Sequence, residues 1–133
     1  MDDYEPWRRY LCSTLEEQLK LHVVGEAADG RAGLRKAQEL QPDLIVLDIG
    51  LPELNGIETA RRVRQLSPQS KILFVSENRS RDVVEEALRT GAGGYVVKSD
   101  AESELVPAVQ AVLGGERFVS ASMGRIDLLK SKE

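Results

Sequence analysis

A chain of 133 residues has room for one ordinary domain, and with 41% apolar and 30% charged residues it can bury a core without disulfides or structural metal. A net charge of −4 argues against a phosphate-binding basic face, and a single cysteine, Cys12, excludes an intrachain disulfide. One histidine, His22, excludes a histidine-rich metal site, and no apolar run reaches the length of a membrane span. The start Met1-Asp2-Asp3 is neither a basic leader nor an apolar signal core, so a cytoplasmic location is expected.

Trp7, Leu11, Leu15 and Leu19 recur every fourth residue and predict a first helix with one apolar face, Pro6 lying in its first turn. Cys12 falls on this stretch and reads as a buried structural thiol. Residues 21–27 (LHVVGEA) predict a short strand with His22 at its edge, and Asp29-Gly30 a turn. Leu34, Ala37 and Leu40 predict a second helix, weakened by Gly33 and stopped near Pro42. Residues 43–47 (DLIVL) predict a strand buried on both faces, as in the middle of a parallel sheet.

After a loop over 48–56, Ile57, Ala60, Val63 and Leu66 predict a third helix closed by Ser67-Pro68. Residues 71–76 (KILFVS) predict a second strand buried on both faces. Val83, Val84, Ala87 and Leu88, with Gly91 as the cap, predict a fourth helix. Residues 95–97 predict a short strand, and 105–113 a fifth helix whose first turn is irregular at Pro107. The tail, 118–133, predicts a short extended piece and one helical turn, too short for a helix-turn-helix. This alternation implies an α/β fold, a parallel sheet with right-handed crossovers and helices on both faces.

Asp48 stands at the carboxyl end of the most buried strand, the edge at which open parallel sheets bind ligands. A carboxylate there can act as a nucleophile toward phosphorus; taken alone, a turn or capping aspartate is the better reading. Ser76 ends the next buried strand and Lys98 follows the one after. The three strands would place a carboxylate, a hydroxyl and an ammonium along one edge, the set that phosphoryl transfer needs. Asp2 and Asp3 add two carboxylates that, with Asp48, suit a hard divalent cation such as Mg²⁺. Their other reading is an acidic terminus that stabilises a helix start.

The blocks D-D-Y-E-P-W-R-R, L-I-V-L-D-I-G-L-P-E-L-N-G-I-E, L-F-V-S-E and G-A-G-G-Y-V-V-K-S resemble, in order, those of response-regulator receivers, closest to the receiver half of NarL-type regulators. The resemblance covers residues 2 to about 120 and implies a flavodoxin/CheY-like doubly wound sheet of order 2-1-3-4-5. It implies a receiver over residues 1–120 and a tail over 121–133 with no output domain. It makes Asp48 the phosphoacceptor, Asp3 a direct Mg²⁺ ligand, Asp2 a ligand through water and the Gly50 carbonyl a backbone ligand. Ser76 and Lys98 would contact the phosphoryl oxygens, Pro52 and Gly56 would shape the loop after the acceptor, and Tyr95 would be the switch aromatic. Glu77 and Asn78 would tune the lifetime of the phosphate.

The implied partners are a sensor histidine kinase or phosphotransfer protein and a downstream protein target, with no direct nucleic-acid or membrane binding by this chain. The module would be no enzyme beyond its own phosphotransfer and autodephosphorylation. A phosphorylation-independent interaction scaffold on the same fold is the alternative. A haloacid-dehalogenase-like phosphatase is disfavoured, because the second aspartate it needs two residues after the first is here Gly50.

One departure matters. Receivers begin with a buried apolar strand before the acidic pair, and here Met1 stands directly before Asp2. About four buried side chains at ~2 kcal/mol each amount to ~8 kcal/mol, against a whole-domain stability of ~5–15 kcal/mol. An empty slot is therefore not expected. Either the natural start lies upstream, or the sheet closes up, Phe118-Val119 fills the gap, or the chain associates as a homodimer or strand-swapped assembly. Weaker metal binding and weaker phosphorylation would follow.

Overall fold

Helices begin where a side chain can take over amide groups that the first turn leaves unpaired. Asp29 Oδ1 accepts from the Ala32 amide at 2.8 Å and opens α2 (Gly30–Leu40). Asn55 Oδ1 accepts from Glu58 at 3.0 Å and opens α3 (Gly56–Leu66), and Ser80 Oγ accepts from Val83 at 3.4 Å and opens α4 (Arg81–Arg89). In this computed structural model, which describes residues 1–124 and residue 126, α1 (Glu5–Ser13) precedes them and runs on into a π turn, Thr14–Gln18.

Between the helices lie β1 (Leu44–Leu47), β2 (Lys71–Ser76) and β3 (Gly94–Val97), followed by α5 (Ala101–Leu113) and β4 (Phe118–Val119). They form one four-stranded parallel sheet of order β1-β2-β3-β4. The alternation of β2 shows why both faces are covered: Ile72 and Phe74 enter a core built with α2, α3 and α4, while Leu73 and Val75 enter one built with α1 and α5. The expected α/β doubly wound class is the one observed.

Four sequence expectations need correction. Residues 21–27 form no strand: His22 is exposed and the segment has no regular structure, because extended backbone becomes a strand only when it has a ladder to join. The strand at 43–47 is not buried on both faces. Ile45 and Leu47 are buried but Leu44 and Val46 are only half-buried, since the edge of β1 away from β2 borders a groove of about 710 Å³. The fifth helix starts four residues earlier than expected, at Ala101, after a 3₁₀ turn at Lys98–Asp100, and Pro107 lies inside it. Cys12 is half-buried on the wall of the groove and not enclosed in the core.

Nor does either proposed rearrangement within the chain fill the slot. β1 has not moved against residues 21–27, and Phe118-Val119 pairs with Gly94 and Tyr95 at the opposite edge of the sheet. The expected extended piece at the tail is this β4, and a 3₁₀ turn, Ala121–Met123, follows it. Residue 125 and residues 127–133 of the expected tail lie outside the described residues.

Candidate functional site

The parallel strands deliver their carboxyl ends to one edge. Asp48 follows β1, Ser76 is the last residue of β2, and Lys98 follows β3, whose Val97 stands in register with Ser76. Lys98 Nζ reaches Asp48 Oδ2 at 3.4 Å and Asp2 Oδ2 at 2.7 Å. Burial opposes the Lys98 ammonium, but its hydrogen bond with Asp2 and the charges of Asp48 and Asp2 outweigh that, holding its pKa above the ordinary lysine value.

Asp2 is the most enclosed acid of the group, at 1% exposure. Its position comes from backbone contacts: its amide donates to the Ala27 carbonyl at 3.0 Å and Arg8 donates to its carbonyl at 2.8 Å. Asp2 Oδ1 accepts from the Tyr4 amide at 2.9 Å, leaving Oδ2 to Lys98. Asp3 is exposed and Asp48 half-buried, and one carboxylate oxygen from each of Asp2, Asp3 and Asp48 lies within 4.8 Å of the others. The close approach of three like charges, with all-oxygen donors, fits a hard divalent cation. Gly50 lies in the turn two residues after Asp48, where an added side chain would meet nothing within 4 Å, so access from that side is open.

The loop after Asp48 is fixed by close backbone approach. The Gly56 amide donates to the Ile49 carbonyl at 2.8 Å, and a β-carbon at Gly56 would collide with the carbonyl oxygen of Asp48. Gly56→Ala should therefore displace the acceptor loop and cost about 1–3 kcal/mol. Urea unfolding checks it, and an unchanged midpoint counts against the contact.

Tyr95 is fully buried, and its hydroxyl donates to the Asn78 carbonyl at 2.7 Å. Asn78 in turn gives its amide to Ser76 Oγ at 3.3 Å, so the backbone after β2 links the two hydroxyl side chains. Glu77 is exposed beside them. Burial drives the Tyr95 phenol from 10.0 up to about 12, a hydrogen bond with Ser76 opposing the rise and the Asp48 charge adding to it. The folded state thus holds this proton more tightly than the unfolded chain. The resulting stability is fully present below about pH 10 and is lost as pH rises toward about 12. Tyr95→Phe should flatten that alkaline decline, as measured by chemical unfolding across pH 9–12.

Asp2, Asp3, Asp48 and Lys98 thus meet directly at one edge, which Ser76 reaches as the last residue of β2, while Tyr95 lies inside β3 and reaches the segment after β2 through the Asn78 carbonyl. Trp7 was missed as a site neighbour. Lys98 Nζ stands 5.1 Å from its ring centroid, a cation–π contact. Trp7 was legible only as part of an apolar helical stripe, because sequence spacing does not reveal which strand end a helix covers.

The family model described as the response regulator receiver domain matches residues 1–110, and the chain belongs to that family. It is 38% identical over 119 residues to the transcriptional activator protein ExaE of Pseudomonas putida, covering 90% of this chain and 56% of that protein. It is 32% identical over 123 residues to the nitrate/nitrite response regulator protein NarL of Escherichia coli K12, covering 92% of this chain and 57% of NarL. The crystal structure of a LuxR-family two-component response regulator from Aurantimonas sp. SI85-9A1 superposes with a TM-score of 0.88 at 33% identity, covering 98% of this chain and 93% of that one. The chain spans little more than half the length of these curated relatives.

Proposed function

We propose that the chain accepts a phosphoryl group on Asp48 from a histidine kinase or phosphotransfer protein and signals by altering the surface around Tyr95 and α4. The observation that carries this reading is the Lys98 ammonium 3.4 Å from the Asp48 carboxylate, on an edge that Ser76 shares. An Asp48 oxygen bonds to phosphorus as the bond from phosphorus to the donor's imidazole nitrogen breaks, and the electron pair leaves with the imidazole. Lys98 and the Ser76 hydroxyl donate to the phosphoryl oxygens, where charge spreads in the transition state.

Asp2, Asp3, Asp48 and the Gly50 carbonyl are the groups that would hold Mg²⁺. When bound, Mg²⁺ offsets the clustered negative charge and draws charge from the phosphoryl oxygens. Drawing the Ser76 hydroxyl toward the phosphoryl group would loosen its links to Asn78 and Tyr95, changing the start of α4. A downstream protein reads that change. No enzymatic role beyond phosphotransfer and autodephosphorylation is proposed, and the net charge of −4 favours no direct nucleic-acid contact. No helix among the described residues is long and apolar enough to cross a membrane.

Incubation with Mg²⁺ and acetyl phosphate, followed by intact mass measurement, tests the reading: one phosphoryl increment per chain supports it and none defeats it. Glu77 tunes the product. It is exposed and follows Ser76 directly, so Glu77→Ala should change the half-life of the phosphorylated form. An unaltered decay rate by mass measurement would remove Glu77 from that role.

A further inference from the structure

The segment after α5 is tied to the chain on both sides of Lys98. β4 pairs with the start of β3, and the Ser120 amide continues that ladder by donating to the Tyr95 carbonyl at 3.0 Å. The next donor on the same edge of β3 is the Val97 amide, one residue before Lys98. A continuing strand would accept it with a carbonyl, but the Ser120 carbonyl has turned to accept from Met123 at 3.0 Å. The Ser120 hydroxyl takes that place and accepts from Val97 at 2.8 Å. Beyond Lys98, Asp100 ends the 3₁₀ turn Lys98–Asp100, and its Oδ2 accepts from Ser122 Oγ at 2.5 Å.

Ser120 is fully buried, and its hydroxyl makes a second bond, donating to Glu104 Oε1 at 2.5 Å. Glu104 Oε2 accepts from the Ala121 amide at 3.0 Å, so one carboxylate near the start of α5 grips two successive residues. With its one proton fixed on Glu104, the hydroxyl presents its lone pairs to Val97. Losing that hydroxyl would leave the Val97 amide buried and unpaired, a state that a strand end relieves by shifting. The Ser122 bond is exposed, where water competes for it, so Ser120 carries the attachment.

We propose that Ser120, held by Glu104, is a positioning residue for Lys98, and that the docked segment 118–123 thereby sets the rate of phosphoryl transfer to Asp48. This deepens the phosphoryl-accepting reading above and rests on it. Val97 is the last residue of β3, and Lys98 leaves it directly to bring its ammonium to 3.4 Å from Asp48. The Ser120 bond holds that edge of β3 immediately before the turn, so it fixes where the lysine side chain starts. Whatever lifts residues 118–123 from β3 releases this hold and slows uptake without contacting the acceptor.

The test compares the unsubstituted chain with Ser120→Ala and Ser120→Thr, using acetyl phosphate, Mg²⁺ and intact mass. Ser120→Ala should lower the limiting uptake rate about tenfold at an unchanged half-saturating acetyl phosphate concentration, because Lys98 acts on charge that develops in the transition state. Ser120→Thr keeps the hydroxyl and should recover most of the rate. Lost stability alone moves neither parameter while the chain is folded, so an unchanged rate in Ser120→Ala overturns the proposal. A second readout needs no phosphoryl donor: Trp7 is the one tryptophan and lies 5.1 Å from Lys98 Nζ, so its emission reports the ammonium. Emission should shift in Ser120→Ala and return in Ser120→Thr, and identical spectra overturn the positioning role. Should Ser120→Ala fail to fold, Glu104→Ala, which withdraws the grip but leaves the hydroxyl, replaces it with the same expected directions. No uptake by the unsubstituted chain defeats the phosphoryl-accepting reading and the rate claim with it, while the emission comparison still decides the placing of Lys98.

Discussion

Asp48→Asn takes up no phosphoryl group from acetyl phosphate and Mg²⁺, while its unfolding midpoint is no lower than that of the unsubstituted chain. The amide has the shape of the carboxylate but not its nucleophilic oxygen, so no aspartyl phosphate can form. It also removes one of three acids whose oxygens lie within 4.8 Å, easing their repulsion. Loss of uptake with retained stability isolates the chemistry from the fold. Intact mass and thermal unfolding on the same sample provide the check, and residual phosphorylation would assign the acceptor elsewhere.

Lys98→Met has the largest expected effect on stability. Lys98 pairs with Asp2 at 2.7 Å, with side-chain exposures of 13% and 2%. Removing the ammonium leaves the enclosed Asp2 carboxyl without its cationic partner and beside Asp48, a situation that costs about 3 kcal/mol. In a domain of this size that lowers Tm by roughly 10 °C. The direction is decided by burial, since the same pair on the surface would contribute little. Asp2→Asn should restore most of the loss in the double variant, because it removes the stranded charge. Thermal unfolding of the four chains in low-metal buffer measures the coupling. Equal midpoints for the unsubstituted chain and Lys98→Met would show that Asp2 does not depend on this partner.

The residues that end buried strands were the legible ones. KILFVS carries its own proof of burial on two faces, and five of its six residues are buried. Asp48, Ser76 and Lys98 could be assigned to one edge because each follows or closes an apolar run that reads as a strand. What failed to read was pairing. LHVVGEA has strand-like composition, yet a strand requires a neighbour, and no local signal reports whether one exists. β4 is the converse case: a two-residue piece legible only as extended became a strand because Gly94 and Tyr95 offered an edge. Contacts between helix and sheet were equally hidden. Trp7 over Lys98, and the Met1 side chain in the hollow where a β-carbon on Gly33 would collide with it, depend on how α1 and α2 sit on the sheet.

The half-buried flank of β1 sets a gradient of rigidity across the molecule. β2 and β3 have a partner on each side and almost completely enclosed side chains, whereas among the described residues β1 pairs as a strand only with β2. Opening motions that expose amide hydrogens will begin at the α1, α2 and β1 flank and reach β2 and β3 last. Asp48 rides on the yielding strand while Ser76 and Lys98 ride on the firm ones, so small excursions of a single strand change the spacing of the three groups.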